Sequence, residues 1–453
     1  MRGLAIAFTL MCSSAWAQVL TAGDVQTSVL ANFALIQESH LKASASAATA
    51  TSANGEFDTK LKAKSSNRID EQYDYRILET SLEKRIPSTS LKVFTGYAQA
   101  LGNIPAYTGR YETGSAGEAF VGLQLPLLRD RSIDEARFQL LNAELERKMA
   151  SLDLTIKKNF YVYKGLSAFE KWRLAYSKHQ IKQTVLRIAN ERQVMLDKRV
   201  RAGDLERIKL IDNQRSVDKR NEERLAAELE LAMAQLNLGL YYRPTSDGSV
   251  NLKTFTPSAR SVAVARKDEF RIEFQRLPQA GLLDLEISSS RQAEKLNRSL
   301  ALPDLVFDAT AFQRFSKIRD YNPNRLQVGL QLEIPLENRK ANGKSAAADF
   351  KAQAIEKRKA YLELEMQTSL EQLFETARLN AERALVIERE LQGAQLMAEA
   401  ERKKWQRGDT DLFLVAIREQ EAADVEARLR TVEYEVAQAE LDRKFLLNQF
   451  VED

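Results

Sequence analysis

The chain offers little with which to make or break a covalent bond. Its only histidines are His40 and His179, and its only cysteine is Cys12. Two histidines without a nearby thiolate fall short of the ligand set a zinc site needs. A Ser–His–Asp arrangement would have to use one of the same two histidines, and neither stands near a nucleophile-elbow motif. No glycine-rich phosphate loop leads into a helix, which argues against an energy-supplying ATPase. Tyr161, Tyr163, Trp172 and Trp405 fall inside long helical patterns and read as packing residues. No catalysis, cofactor or metal is therefore expected. What remains is charge gathered around two glycines. Arg199, Arg201, Asp204 and Asp212 accompany Gly203; Arg407, Asp409 and Asp411 accompany Gly408. Such charges can hold neighbouring segments together or recognise a partner. Equally, they can solvate a turn, cap a helix or pair locally, and residue types leave both readings open.

The elements that carry these turns are long. Among 453 residues there are only 9 prolines and 18 glycines, a composition that favours extended helices. Ser132-x-x-Glu135 is a capping box that would start one helix, and no proline follows before Val200. Leu145, Met149, Leu152, Ile156 and Phe160 recur at spacings of three and four, and Ile355, Leu362, Met366, Leu370, Leu373 and Ala377 keep a similar rhythm at seven, four, four, three and four. Each run predicts a helix of about 60–70 residues, roughly 90–105 Å long. Gly203 and Gly408 end them, and further apolar stripes follow: Leu225, Leu229, Ala232, Leu236 and Leu240, then Val425, Leu429, Val432 and Val436. Two antiparallel helical hairpins result.

Strands precede each hairpin. Leu326, Val328, Leu330, Leu332 and Ile334 alternate with Gln327, Gly329, Gln331 and Glu333, and residues 119–125 do the same. Period two with one apolar face marks a half-buried strand. That face meets either a soluble core or lipid, and alternation cannot choose between them. Partner strands are expected over 89–100 and 304–314. An additional hairpin is expected from Phe57 to Lys84.

The order repeats. The tetrapeptide at Gly122–Leu125 returns at Gly329–Leu332, 207 positions later, and the Gly-Asp turn at Gly203 returns at Gly408, 205 positions later. The chain thus reads as a tandem duplication: 1–17 a signal peptide, 18–242 a first repeat (helix, strands, long helical hairpin), 243–263 an equatorial connecting segment, and 264–453 a second repeat with a shorter helix near 281–299. Arg2, the apolar run from Leu4 to Met11 and Ala15-Trp16-Ala17 make the secretory signal, cut after Ala17. Met11 before Cys12 disfavours a lipoprotein signal. After Ala17, charges interrupt every apolar stretch short of a transmembrane helix, so any membrane crossing would use strands. The 67 basic and 63 acidic residues nearly balance, leaving +4, and no basic block suggests nucleic acid.

Duplicated strand–strand–helix–turn–helix units, the junction Gly122-Leu-Gln-Leu-Pro-Leu-Leu-Arg129, and the turn from Gly203 through Ile211-Asp-Asn-Gln-Arg215 resemble the outer-membrane efflux protein family of the TolC type. The resemblance implies an α+β fold of long antiparallel helical hairpins forming an α-barrel, plus transmembrane β-barrel strands, in a homotrimer. It implies a passive exit duct of a tripartite efflux or type I secretion system, in the outer membrane and extending into the periplasm. Its partners would be a periplasmic adaptor (membrane fusion) protein, an inner-membrane pump and outer-membrane lipid. By the same resemblance Arg201, Gly203, Asp204, Asp212, Arg407, Gly408, Asp409 and Asp411 belong to a gate and docking tip. The family's acidic residue nine positions after the tip glycine is matched by Asp212, but Ile417 stands there in the second repeat, leaving Asp409 or Asp411 to substitute. Two rivals remain: a periplasmic adaptor or coiled-coil scaffold, and an envelope structural protein without a pore. Strands at the same place in both repeats speak against the adaptor, which typically has one hairpin.

Overall fold

The computed structural model describes residues 18–69, 74–102, 104, 113, 116–245, 248, 250–259, 266–315 and 324–451. The expected signal peptide, Cys12 and most of the loops between paired strands lie outside the described residues. The chain forms two compact units, and each draws on both halves of the sequence. One comprises Met1–Ser39, Thr155–Leu277 and Glu363–Asp453; the other comprises His40–Leu154 and Pro278–Leu362.

The helices follow the apolar periodicity closely. They are α1 (Ala22–Asn32), α2 (Ala34–Asn54), α3 (Glu135–Arg201), α4 (Arg207–Tyr241), α5 (Pro278–Ser299), α6 (Arg339–Arg407) and α7 (Leu412–Leu446). At 67 and 69 residues, α3 and α6 are each about 100 Å long. α3 starts three residues beyond the capping box expected at Ser132. Asp134 takes over because its carboxylate accepts the Arg137 N–H at 2.8 Å and the Arg137 Nε–H at 3.1 Å. Among the described residues no helix is long and apolar enough to cross a membrane.

In the first unit, β1 (Gln18–Leu20) pairs in parallel with β6 (Phe255–Pro257). Val25 and Val29 of α1 pack with Leu20, with Val162, Phe169 and Trp172 of α3, and with Ala234 and Leu238 of α4. Val425, Leu429 and Val432 of α7 are buried against Ala384 and Leu391 of α6, so this predicted stripe serves the chain's own core. The matching stripe of α4 does not: Leu225, Leu229, Leu236 and Leu240 are exposed and Ala232 is half-buried.

The second unit holds one antiparallel sheet in the order β2 (Lys60–Arg68), β3 (Tyr75–Arg85), β4 (Lys92–Gly102), β5 (Glu118–Pro126), β7 (Asp304–Arg314), β8 (Asn324–Glu333). The four principal strands appear where alternation placed them, within three residues at each end. The additional hairpin also forms, but as the β2–β3 edge of the same sheet, with β3 paired to β4 over its whole length. Gly96 and Gly122 let β4 and β5 approach, since a side chain at either would run into Phe120 or Phe94 across the pair.

Candidate channel wall and helical tip

Residues opposed in an antiparallel register share a face, so the pairing assigns every strand residue to one of two sides. One side carries Leu61, Leu78, Leu82, Val93, Tyr97, Leu101, Val121, Leu326, Val328, Leu330 and Leu332; these are all the large apolar strand residues of this sheet that stand exposed, with Leu326 at 71% and Leu330 at 68%. The other side is polar, and across the middle strands it is more enclosed. Its middle is an aromatic row in which Phe94, Phe120 and Phe312 follow one another with ring centroids 6.2 Å apart. Arg325 lies over the Phe312 ring at 4.3 Å and reaches Glu118 at 3.5 Å. Glu83 bridges Lys62 at 2.6 Å and Lys92 at 3.1 Å. A water-soluble sheet hides its apolar face and exposes its polar one; here the sides are reversed. The strands, 9 to 11 residues long, match the ~9–11 a tilted strand needs to cross a bilayer.

The two turns of the helical hairpins share one backbone design. Gly203 at φ 80° and Gly408 at φ 86° occupy the left-handed region. At the first, the Gly203 N–H donates to Val200 and the Asp204 N–H to Arg199; at the second, Gly408 donates to Trp405 and Asp409 to Lys404, at 2.9–3.1 Å. Both are Schellman caps, which satisfy carbonyls that the ended helix leaves free.

The side chains differ between the turns. Arg201 pairs with Asp197 on its own helix at 2.8 Å. Asp411 caps α7 by accepting the Phe413 N–H, and its two oxygens take Lys209 of α4 at 3.2 Å, which ties one hairpin to the other. The Lys209 hydrogen bond, opposed by slight burial and reinforced by the Phe413 N–H, holds the Asp411 carboxyl below its ordinary range. Asp204, Asp212, Arg407 and Asp409 are exposed. Asn213, beside Asp212, is buried and donates to Gln193 at 2.5 Å and to the Ala189 carbonyl at 3.3 Å.

The strongest electrostatic feature was not singled out from the sequence. Glu419 of α7, 6% exposed, receives Arg192 of α3, Arg220 of α4 at 3.7 Å and Arg402 of α6 at 3.1 Å. One carboxylate thus joins all four long helices, with Glu419 and Arg192 each eleven residues from the glycine of their own hairpin, two to three helical turns into α7 and α3. Arg192 and Arg220 are 3% and 4% exposed. Arg220 also donates to the Val185 and Ala416 carbonyls, and its burial lowers the guanidinium pKa against the pull of Glu419. Arg192 Nη1 is buried without a hydrogen-bond partner. The signal was present: Val185, Ala189, Arg192 and Leu196 are spaced four, three and four apart, which puts an arginine inside an apolar seam. Among the described residues no group of three or more His, Cys, Asp or Glu side chains could hold a metal ion.

Solved structures share this fold. The outer-membrane channel OprN superposes with a TM-score of 0.65 at 14% identity, covering 94% of this chain and 89% of its own. The outer membrane protein VceC from Vibrio cholerae gives 0.65 at 12%, covering 94% and 96%. The CmeC outer membrane channel of Campylobacter jejuni gives 0.63 at 12%, covering 95% and 87%. This chain has the outer-membrane channel fold. No family model and no curated protein matches it.

Proposed function

We propose that the chain is one subunit of a passive outer-membrane exit duct, working with a periplasmic adaptor and an inner-membrane pump in a tripartite efflux or type I secretion system. The observation that carries this reading is the reversed sheet: an exposed apolar face backed by a charged, aromatic one suits lipid outside and water inside. An open sheet cannot stay in a bilayer with two unpaired edges, so copies must join to close it. A homotrimer, suggested by the resemblance to TolC-type proteins, fits the exposed α4 stripe from Leu225 to Leu240, which awaits a neighbouring helix. Near-equal lengths of α3 and α6, and 35 residues in both α4 and α7, support a duplicated unit. The helices would form a tube about 100 Å long in the periplasm.

The helical end is the gate. Gly203 and Gly408 set the turns; Lys209–Asp411 and the Glu419 cluster hold the hairpins together; exposed Arg201, Asp204, Asp212, Arg407 and Asp409 face the docking partner. Opening requires those ties to part, and no bond chemistry is involved. The test is to extract the protein from outer membranes, measure particle mass and side view, and record its current in a planar bilayer. A three-subunit particle with a tube about 100 Å long and ion conductance is expected. A soluble monomer released with the periplasm would overturn the reading.

A further inference from the structure

The sheet has six strands per copy, and its outermost hairpin has a charge unlike the rest. We propose that the β2–β3 hairpin is the seam by which neighbouring copies close the barrel, so that three copies build an eighteen-stranded wall whose water-filled side carries Lys60, Lys62 and Lys64. This rests on the trimeric-duct reading above.

Four observations carry it. First, β2 and β3 pair over nine consecutive positions and β3 with β4 over eleven, so the hairpin continues the wall and leaves β4 no free edge. Second, the two faces continue across the middle of the hairpin, with the charges of the apolar side, Arg76 and Lys84, confined to the ends of β3. Leu61, Ala63, Leu78 and Leu82 extend the apolar face, while Lys60, Lys62 and Lys64 join Glu79 and Glu83 on the polar one. Third, β2 and β8 are the two strands left with one neighbour each. Six alternating strands put β2 of one copy antiparallel to β8 of the next, as closure of such a barrel demands. Fourth, lysines on a free edge strand would ordinarily blunt pairing. Here they project from the polar face, as the Lys62–Glu83 pair shows, and leave the backbone edge open.

The hairpin also changes the lumen. On the polar face, β4, β5, β7 and β8 carry three basic and four acidic residues, whereas β2 and β3 carry five basic and two acidic. Each copy therefore moves from net −1 to net +2 on that side. Barrel diameter grows roughly in proportion to strand number, so the passage is wider and more favourable to anionic solutes than one built without the hairpin.

Cysteine pairs decide the seam. Leu61→Cys, Ala63→Cys or Ser65→Cys, each combined with Val328→Cys or Leu330→Cys in a Cys12→Ser background, are oxidised in native membranes. Disulfide-linked trimers are expected for at least one combination, because opposed strand residues lie within disulfide reach. Trimers linked instead through Tyr97→Cys or Gln99→Cys of β4 to β8 would place the hairpin outside the wall and overturn the proposal. As a second readout, K60E/K62E/K64E should shift the reversal potential of the wild-type-sized channel toward cations, with a several-fold change in permeability ratio; an unchanged ratio in a conducting trimer also overturns it. Absence of any trimer or current in the wild type is a separate failure, that of the duct itself.

Discussion

Glu419→Gln tests the helical end most sharply, because one atom exchange removes the only acidic partner shared by three arginines. Glu419, Arg192 and Arg220 are each at most 6% exposed, so water cannot take over the lost charge in the closed state. Removing one partner of a buried ion pair typically costs about 3–5 kcal/mol, because the remaining charge stays buried and uncompensated. Arg192 Nη1 already lacks a partner, which leaves the cluster no spare acceptor. Distributed over a local opening of the helix ends, that cost corresponds to roughly a 10²–10⁴-fold loss of protection. Amide hydrogen exchange on the assembled protein in detergent reads it directly, in peptides covering residues 185–220 and 398–423. Exchange should accelerate there and stay unchanged around Trp172 and Val162, which lie in a separate apolar core. Conductance should rise in the same variant. Glu228→Gln, which removes the exposed partner of Arg224 at 2.6 Å and lies outside the cluster, serves as the charge control and should change neither readout. Protection within threefold of wild type in Glu419→Gln would refute the claim that this carboxylate holds the four helices together.

Other positions make further demands. Gly203→Ala and Gly408→Ala should each destabilise the local turn by about 1 kcal/mol, since the added methyl meets nothing within 4 Å and only the backbone is strained; equal melting temperatures for variant and wild type would contradict this. Val328→Arg, on the exposed apolar face of β8, should cost about 2–4 kcal/mol in folding into vesicles, with Gln327→Arg tolerated beside it; the reverse ranking would invert the assignment of faces. The Asp411 carboxyl is lowered in the fold from 3.8, so the Lys209 bridge contributes above that value and is lost as pH falls through the folded one. Both partners are partly exposed, which limits the contribution to at most ~1 kcal/mol. The stability gap between wild type and Asp411→Asn should be flat down to about pH 5 and close below about pH 4.

Much of the architecture was legible because it depends on repetition. Spacings of three and four from Leu145 to Phe160 fix a helix whatever lies around it, and Gly203 and Gly408 stop both hairpins because only glycine enters their φ region cheaply. The strands were equally plain, but their sidedness was not. Alternation in Leu326–Ile334 states that one face is apolar and is silent on whether core or lipid meets it; only the exposure of that face in three dimensions distinguishes them. The β2–β3 hairpin was expected, yet its place in the sheet was hidden, because Lys60, Lys62 and Lys64 make β2 look like a solvated ribbon and pairing between strands is not written in either one. The α4 stripe misleads in the opposite sense. Leu225 to Leu240 has the period of a buried face, but within one chain its leucines stand exposed, since period reports a preference for burial and never names the partner. Glu419 escaped notice for a related reason: single charges set in seams such as Val185–Leu196 look like ordinary helix-surface residues until neighbouring helices cover them.

That the helices are tied by charge where they could have been tied by leucine is itself informative. Replacing a buried ionic cluster with apolar side chains of similar volume is often neutral or stabilising by about 1–4 kcal/mol, so stability alone does not account for Arg192, Arg220 and Glu419. The difference lies in what happens when the helices part. An apolar seam exposed to water loses its burial energy outright, whereas a guanidinium and a carboxylate regain hydration and recover much of what closing cost them. A charged seam therefore gives a closed state that is specific but inexpensive to open, which suits an end that must part when a partner docks. The Arg192→Met, Arg220→Met, Glu419→Met combination separates the two roles. It should fold and assemble, retain or exceed wild-type protection from exchange at residues 185–220, and remain poorly conducting under conditions that open the wild type. A triple variant that opens as readily as wild type would show that the cluster serves packing alone.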